Sequence, residues 1–165
     1  MTTRLIWPLR RVHITQRFGG NRAMYAIYGL KGHNGIDFRT RFMLPEYKTP
    51  NGHMHVFPMA AGRVSEVGDQ DIHRPGKPSE GIGYGKFVRI EHPDGSQSVY
   101  GHLKSQYVKR GQWVETGAII GLTDNTGHST GSHLHVGYRP PNWQELYGNG
   151  YKGYVDFESF LTKRT

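Results

Sequence analysis

The chain has 165 residues, 35% of them apolar, and 21 basic residues against 13 acidic ones give a net charge of +8. That length suits one ordinary domain rather than two, no apolar run is long enough to cross a membrane, and the lack of cysteine excludes disulfides and thiolate metal sites. The basic residues are scattered, as in Arg10-Arg11, Lys109-Arg110 and Lys163-Arg164, which gives a general pull on polyanions such as an anionic cell wall and not a nucleic-acid footprint.

In chain order, Met1 to Pro8 lacks the apolar stretch of a secretion signal. Either a signal has been removed or the protein leaves the cell by another route. Residues 4–18 read as an extended lead-in with a short strand. Residues 19–32 are irregular, aromatic and bounded by Gly19 and Gly32, with Tyr25 and Tyr28 inside. Residues 39–55, with Pro45, Pro50 and Gly52, form a polar connection. From His55 to Gly68 the pattern gives two short strands around the small-residue turn Met59-Ala60-Ala61-Gly62, and residues 69–83 read as a loop. Lys86 to His92 alternates, with Val88 and Ile90 on one face and Arg89 and Glu91 on the other. Pro93-Asp94-Gly95-Ser96 is a turn by composition, and Gln97 to His102 returns as the partner strand. A short strand lies between Gly111 and Gly121, and a Gly-rich turn from Thr126 to Gly131 leads into a strand over His133 to Tyr138. Only Val155 to Leu161 reads as helical. Short strands with glycine turns predict an all-β fold with one core.

Three phrases concentrate the chemistry: Gly32-His33-Asn34-Gly35-Ile36-Asp37, Tyr100-Gly101-His102-Leu103 and Gly131-Ser132-His133-Leu134-His135. Residues two apart on a strand share a face, so His133 and His135 point the same way. Each phrase alone is weak; His53-Met54-His55 repeats the His-x-His pattern within the same chain. Together and in this order, they supply imidazoles and a carboxylate for a divalent ion with a position left for water, the catalytic form of a zinc site. The remaining histidines, His13, His53, His55, His73, His92 and His128, read as loop or surface residues.

These phrases resemble the signature of the lysostaphin/LytM-like zinc endopeptidases. Ile14 to Gly19, Met59 to Val64, Gly83 to Ile90, the Gly111, Val114, Gly117, Ile120 and Gly121 spacing, and Thr126 to Gly131 continue the likeness over about residues 12–137. The resemblance implies a small antiparallel β-sheet or sandwich of the LytM type, a duplicated hybrid motif, with long loops walling a groove. It implies one catalytic domain over residues 1–165, with 138–165 as a C-terminal extension packed on it. One Zn2+ would be held by His33, Asp37 and His135, with His102 and His133 as the unligated catalytic pair. The substrate class would be peptide bonds of bacterial peptidoglycan, in stem-peptide cross-links or glycine bridges, and the setting a phage lysin, a virion-associated hydrolase or a secreted enzyme acting on the envelope. Within the pair, His133 is read as the base, because it shares a strand with His135, and His102 as the partner for the oxyanion or leaving group. Tyr28 reads as a packed loop aromatic. Gln16 departs from the small hydroxyl residue common in the lead-in, Ser132 stands where proline is frequent, and the loops at 39–55 and 69–83 are long. Every ligand position is retained, which counts against a regulator or a wall-binding module, although Tyr25, Tyr28, Trp143 and Tyr147 would serve such a module too. Two imidazoles and a carboxylate also describe the iron site of non-haem oxygenases, but the His-x-x-x-Asp spacing and the two extra histidines disfavour it.

Overall fold

A computed structural model describes residues 3–41, 53–70, 83–124 and 131–161. Most of the two long loops and the turn before His133, with His73 and His128, lie outside the described residues.

The elements are β1 (Ile14–Gln16), the one-turn helix α1 (Arg22–Tyr25) running into a 3-10 turn (Ala26–Tyr28), β2 (Ile36–Arg39), β3 (His55–Val56), β4 (Gly62–Asp69), β5 (Lys86–Glu91), β6 (Gln97–Gly101), β7 (Leu103–Gln106), β8 (Trp113–Val114), β9 (Gly121–Thr123) and β10 (His133–Arg139). Two 3-10 turns follow, Tyr147–Asn149 and Glu158–Phe160. A seven-stranded sheet runs β1-β2-β10-β6-β5-β4-β8, and β3-β9-β7 form a second sheet. The strand pairings are antiparallel, so the expected all-β antiparallel fold is what the chain adopts. No helix among the described residues is long and apolar enough to cross a membrane.

Alternation in the central strands gives the large sheet two unlike faces. Leu134, Val136 and Tyr138 of β10, Ile36 and Phe38 of β2, Val88 and Ile90 of β5 and Tyr100 of β6 are all buried in the main core. That core also takes Val56, Leu103 and Ile120 from the region of the smaller sheet. The opposite face carries His133, His135, Gly137 and Arg139, and a separate aromatic cluster forms there from Phe87, Val99 and Tyr154, with Phe18, Tyr84 and Tyr151 against it.

Two expectations need correction. The stretch 19–32 contains a single helical turn, which its aromatic, uncapped sequence did not announce; Asn21 precedes it at φ 51 and makes no side-chain cap. Over 155–161, where a helix was expected, the chain forms the 3-10 turn Glu158–Phe160, with Phe157 just before it buried in the core.

His92 is the third departure. Expected at the surface, it is buried. One ring nitrogen, Nδ1, lies 2.9 Å from the Ala61 carbonyl and the other, Nε2, lies 2.9 Å from Ser98 Oγ, itself 2.9 Å from the Tyr100 hydroxyl. The Met59 N–H donates to that hydroxyl at 2.7 Å. A carbonyl only accepts, so Nδ1 carries the proton and the chain of donation runs Tyr100 to Ser98 to His92 to Ala61. Gly62 makes the room: a Cβ there would lie 2.4 Å from the Glu91 carbonyl and 3.0 Å from His92 Nδ1.

Candidate metal and catalytic site

Strand register assembles the site. His135 stands directly opposite Asp37 across the β10–β2 pairing, and His133 opposite Arg39, so both histidines share the face of Asp37. His33 precedes β2 by three residues and is held by its backbone, whose N–H donates to the Gly20 carbonyl at 2.8 Å while its own carbonyl accepts from the Gly19 N–H at 2.7 Å. Gly35 permits this approach: a Cβ there would lie 2.3 Å from the Val136 carbonyl and 2.9 Å from His135 Nε2.

His33, Asp37 and His135 are all buried and converge. His33 Nε2 lies 2.9 Å from His135 Nδ1 and 3.1 Å from Asp37 Oδ1, and His135 Nδ1 lies 3.0 Å from the same oxygen. The other nitrogen of His33 is 3.2 Å from the Arg17 carbonyl. That contact fixes Nδ1 as the donor and leaves Nε2 as a lone pair facing the triangle, the usual way a metal-binding histidine is oriented. Two imidazole nitrogens and a carboxylate oxygen at about 3 Å spacing suit a small divalent cation; tetrahedral bonds of about 2.0–2.1 Å separate neighbouring ligands by roughly 3.3 Å. The donor set therefore fits a zinc-type ion with a small outward relaxation. His135 Nε2 is buried with no hydrogen-bond partner among the described residues, which is consistent with Nδ1 being the atom the fold presents.

The two further histidines lie beside this triangle. His133 Nδ1 is 2.8 Å from the Gly131 carbonyl, so it donates there, and Nε2, 3.6 Å from Asp37 Oδ2, is left able to accept a proton. The His102 ring lies 4.6 Å from that of His133 and 6.0 Å from that of His135, centroid to centroid. His102 has φ 60, a conformation that costs a non-glycine residue on the order of 1 kcal/mol or more. Its N–H donates to the Tyr84 carbonyl at 2.7 Å and its carbonyl accepts from the Asp124 N–H at 3.1 Å, which hold it there.

The electrostatics follow from burial and pairing. Burial alone would raise the Asp37 carboxyl, but bonds from His135 and His33 outweigh it and hold the group well below the ordinary carboxylate range. Burial pushes His135 down despite its bond to Asp37. Tyr25, whose ring lies 5.1 Å from His33, is pushed well up by burial and by the Asp37 charge.

The structure thus brings together His33, Asp37, His102, His133 and His135. It leaves His13 and His55 exposed and His53 half-buried, away from the cluster. The expected groove lies beside the cluster, a cavity of about 290 Å³ lined by Tyr25, Tyr84, Arg89, Arg139, Lys152 and Tyr154 together with His102 and His135; what sequence reasoning missed is its basic lining. Its only sequence signal is that Arg89 and Arg139 fall on the outward phase of β5 and β10.

Comparison with known proteins agrees with this geometry. An uncharacterised metalloprotease of Haemophilus influenzae is 33% identical over 130 residues, covering 78% of this chain and 23% of that protein. The peptidoglycan DD-endopeptidase ShyB of Vibrio cholerae is 31% identical over 125 residues, covering 74% of this chain and 24% of ShyB. The chain therefore spans about a quarter of the length of these relatives. Among solved structures, the catalytic domain of lysostaphin from Staphylococcus simulans superposes with a TM-score of 0.63 at 22% identity, over 90% of this chain and 91% of that one, and so shares the fold. The sequence profile of Peptidase family M23 matches residues 31–147, a stretch that holds all five clustered residues, and the chain belongs to that family.

Proposed function

We propose that the protein is a zinc-dependent endopeptidase that cuts peptide bonds of bacterial peptidoglycan. The observation that carries this is the triangle of His33 Nε2, Asp37 Oδ1 and His135 Nδ1 with the His102–His133 pair beside it. The name of ShyB supports the substrate class. The place of action is then the bacterial envelope.

His33, Asp37 and His135 would hold the zinc, which supplies a water of lowered pKa and polarises the scissile carbonyl. His133 takes the proton of the attacking water at Nε2, since its Nδ1–H is committed to the Gly131 carbonyl. His102, packed ring against ring on His133, donates to the developing oxyanion or the departing amine. Arg17 keeps His33 in the tautomer that presents Nε2. Tyr25 stays protonated at neutral pH and lines the groove as a hydroxyl donor.

The test is metal analysis combined with digestion of purified sacculi. One zinc per chain and release of soluble peptide fragments, both abolished by a chelator and restored by zinc, are expected. A protein that holds zinc and binds sacculi yet releases nothing is a wall-binding module instead.

A further inference from the structure

The site face of the large sheet continues past the histidines as a series of rows. His135 pairs with Gly101, Gly137 with Val99 and Arg139 with Gln97, while Arg89 pairs with Val99 from the other side. His135 and Arg139 lie four residues apart on one face of β10, about 13 Å along the strand. The groove that His102 and His135 line also touches Arg89, Arg139 and Lys152, and no aspartate or glutamate among the described residues lines it.

The three cations are not equivalent. Arg89 is already spoken for: it pairs with Glu66 at 3.2 Å and donates to the Tyr154 hydroxyl at 3.1 Å, so it positions that ring. Arg139 has no carboxylate partner among the described residues. Its Nε donates to the Lys152 carbonyl at 3.0 Å and a terminal nitrogen reaches Gln97 Oε1 at 3.4 Å. Its guanidinium carbon lies 4.4 Å from the Trp143 ring centre and 4.3 Å from that of Tyr154. Lys152 sits at φ 55, before Gly153 at φ 82; a Cβ on Gly153 would lie 2.7 Å from the Trp143 carbonyl. The fold thus sets a lysine in a left-handed turn beside an aromatic-clamped arginine, at a groove whose described lining carries no acidic residue. A guanidinium held by rings keeps its planar fork of donors pre-organised for a carboxylate.

We propose that Arg139 and Lys152 form a carboxylate-binding subsite of the substrate groove, which holds a free carboxylate of the peptide about three to four extended residues from the bond that is cut. This rests on the peptidase reading and narrows it to acid-bearing stem peptides, because an oligoglycine bridge offers no internal carboxylate.

The experiment uses the zinc-loaded chain and four probes: a cross-linked stem-peptide dimer with all carboxylates free, the same dimer amidated at its chain termini, the dimer amidated at its internal carboxylates, and pentaglycine amide. Binding is read from tryptophan fluorescence, since Trp143 packs on Arg139, and turnover from fragment release. The unmodified protein is expected to bind the free acid at least tenfold more tightly than one of the two amidated forms, and that form identifies which carboxylate is held. Arg139→Gln and Lys152→Gln each lose about three- to tenfold in affinity and in KM for the free acid, with kcat within twofold and no change toward the amidated form. Arg139→Lys, which keeps the charge but not the planar fork, recovers only part of the loss, and Lys152→Gln, at an exposed position, guards against misfolding of the arginine variant. Equal affinity for free and amidated dimers, or unaltered binding in Lys152→Gln and Arg139→Gln, overturns the subsite. Selective binding without cleavage of any probe leaves the subsite standing and removes the peptidase reading; cleavage without selectivity does the reverse.

Discussion

Two buried histidines on this sheet teach opposite lessons. His92 and His135 are each almost inaccessible to solvent, and burial lowers the pKa of both. His92 has both ring nitrogens matched to the protein, in a relay whose donors and acceptors can be assigned without ambiguity. His135 has one nitrogen crowded by another imidazole and a carboxylate and the other without a partner among the described residues. A saturated buried histidine is a packing device; an unsaturated one that meets further donors at contact distance is built for a cation.

The widest separation between the two is expected on metal and turnover. His135→Ala, like His33→Ala or Asp37→Ala, takes bound zinc from one per chain to none and activity below detection, because two donors do not hold the ion. His92→Ala leaves zinc and kcat within about twofold. Elemental analysis and sacculus digestion on the same preparations check this, and loss of zinc in His92→Ala would erase the contrast.

Next in size is the catalytic pair. His133→Ala and His102→Ala retain the ion, since neither belongs to the triangle, and lower kcat by roughly 10²–10⁴-fold, the usual worth of a positioned acid or base. Near-normal turnover in both would leave the proton transfers to solvent and confine the chemistry to the triangle.

The sequence disclosed these two classes unequally. The five clustered residues were legible because each of the three phrases that carry them holds a glycine and runs into a strand, and because a spacing of two on β10 fixes a common face. The alternation of β5 and β10 likewise announced the core. His92 was misread for a physical reason: it continues the Val88 and Ile90 phase one residue beyond β5, but a polar ring is buried there only because its partners, Ala61 and Ser98, come from separate segments. The basic lining of the groove was hidden in the same way, since Arg89, Arg139 and Lys152 meet only after β5, β6 and β10 pair and the turn at Lys152–Gly153 folds back. Helix α1 carries no cap or periodic signal that a four-residue turn could display.

A smaller effect concerns stability. His92→Ala takes from the Ala61 carbonyl its ring donor and from the Ser98 O–H its acceptor, and opens a cavity, at a cost of about 2–4 kcal/mol. Denaturant unfolding in saturating zinc reads this, and His92→Gln, whose amide can donate to Ala61 and accept from Ser98, is expected to lose less than half as much. An equal loss in both variants would mean that ring volume, and not the relay, is what the core requires.

The finest distinction is in pH. Burial depresses His92 in the folded protein, against the pull of the Ala61 bond, whereas the unfolded chain takes up its proton near the ordinary histidine value of about 6.5. Above that pH neither state is charged at this position and the relay contributes in full. As pH falls below about 6.5 the unfolded chain binds a proton that the fold refuses, so stability declines, by at most about 1.4 kcal/mol per pH unit, until the folded pKa is reached. A protonated ring would have to donate from Nε2 toward Ser98 Oγ, reversing a bond that the Tyr100 hydroxyl and the Ala61 carbonyl orient from both sides. Asp94 acts in a separate window: burial raises it, but the bonds from Ser96 and the Thr3 N–H together outweigh that and hold it at about 2, so its contribution fades only as pH drops from about 4 toward 2. Subtracting the unfolding free energies of His92→Gln from those of the unmodified protein, across pH 8 to 5 with zinc held saturating, cancels the ligand histidines and isolates this one ring. A difference that shrinks as pH falls below 6.5 is expected; a flat difference would mean that His92 titrates alike in both states, and its relay would then be free to reverse.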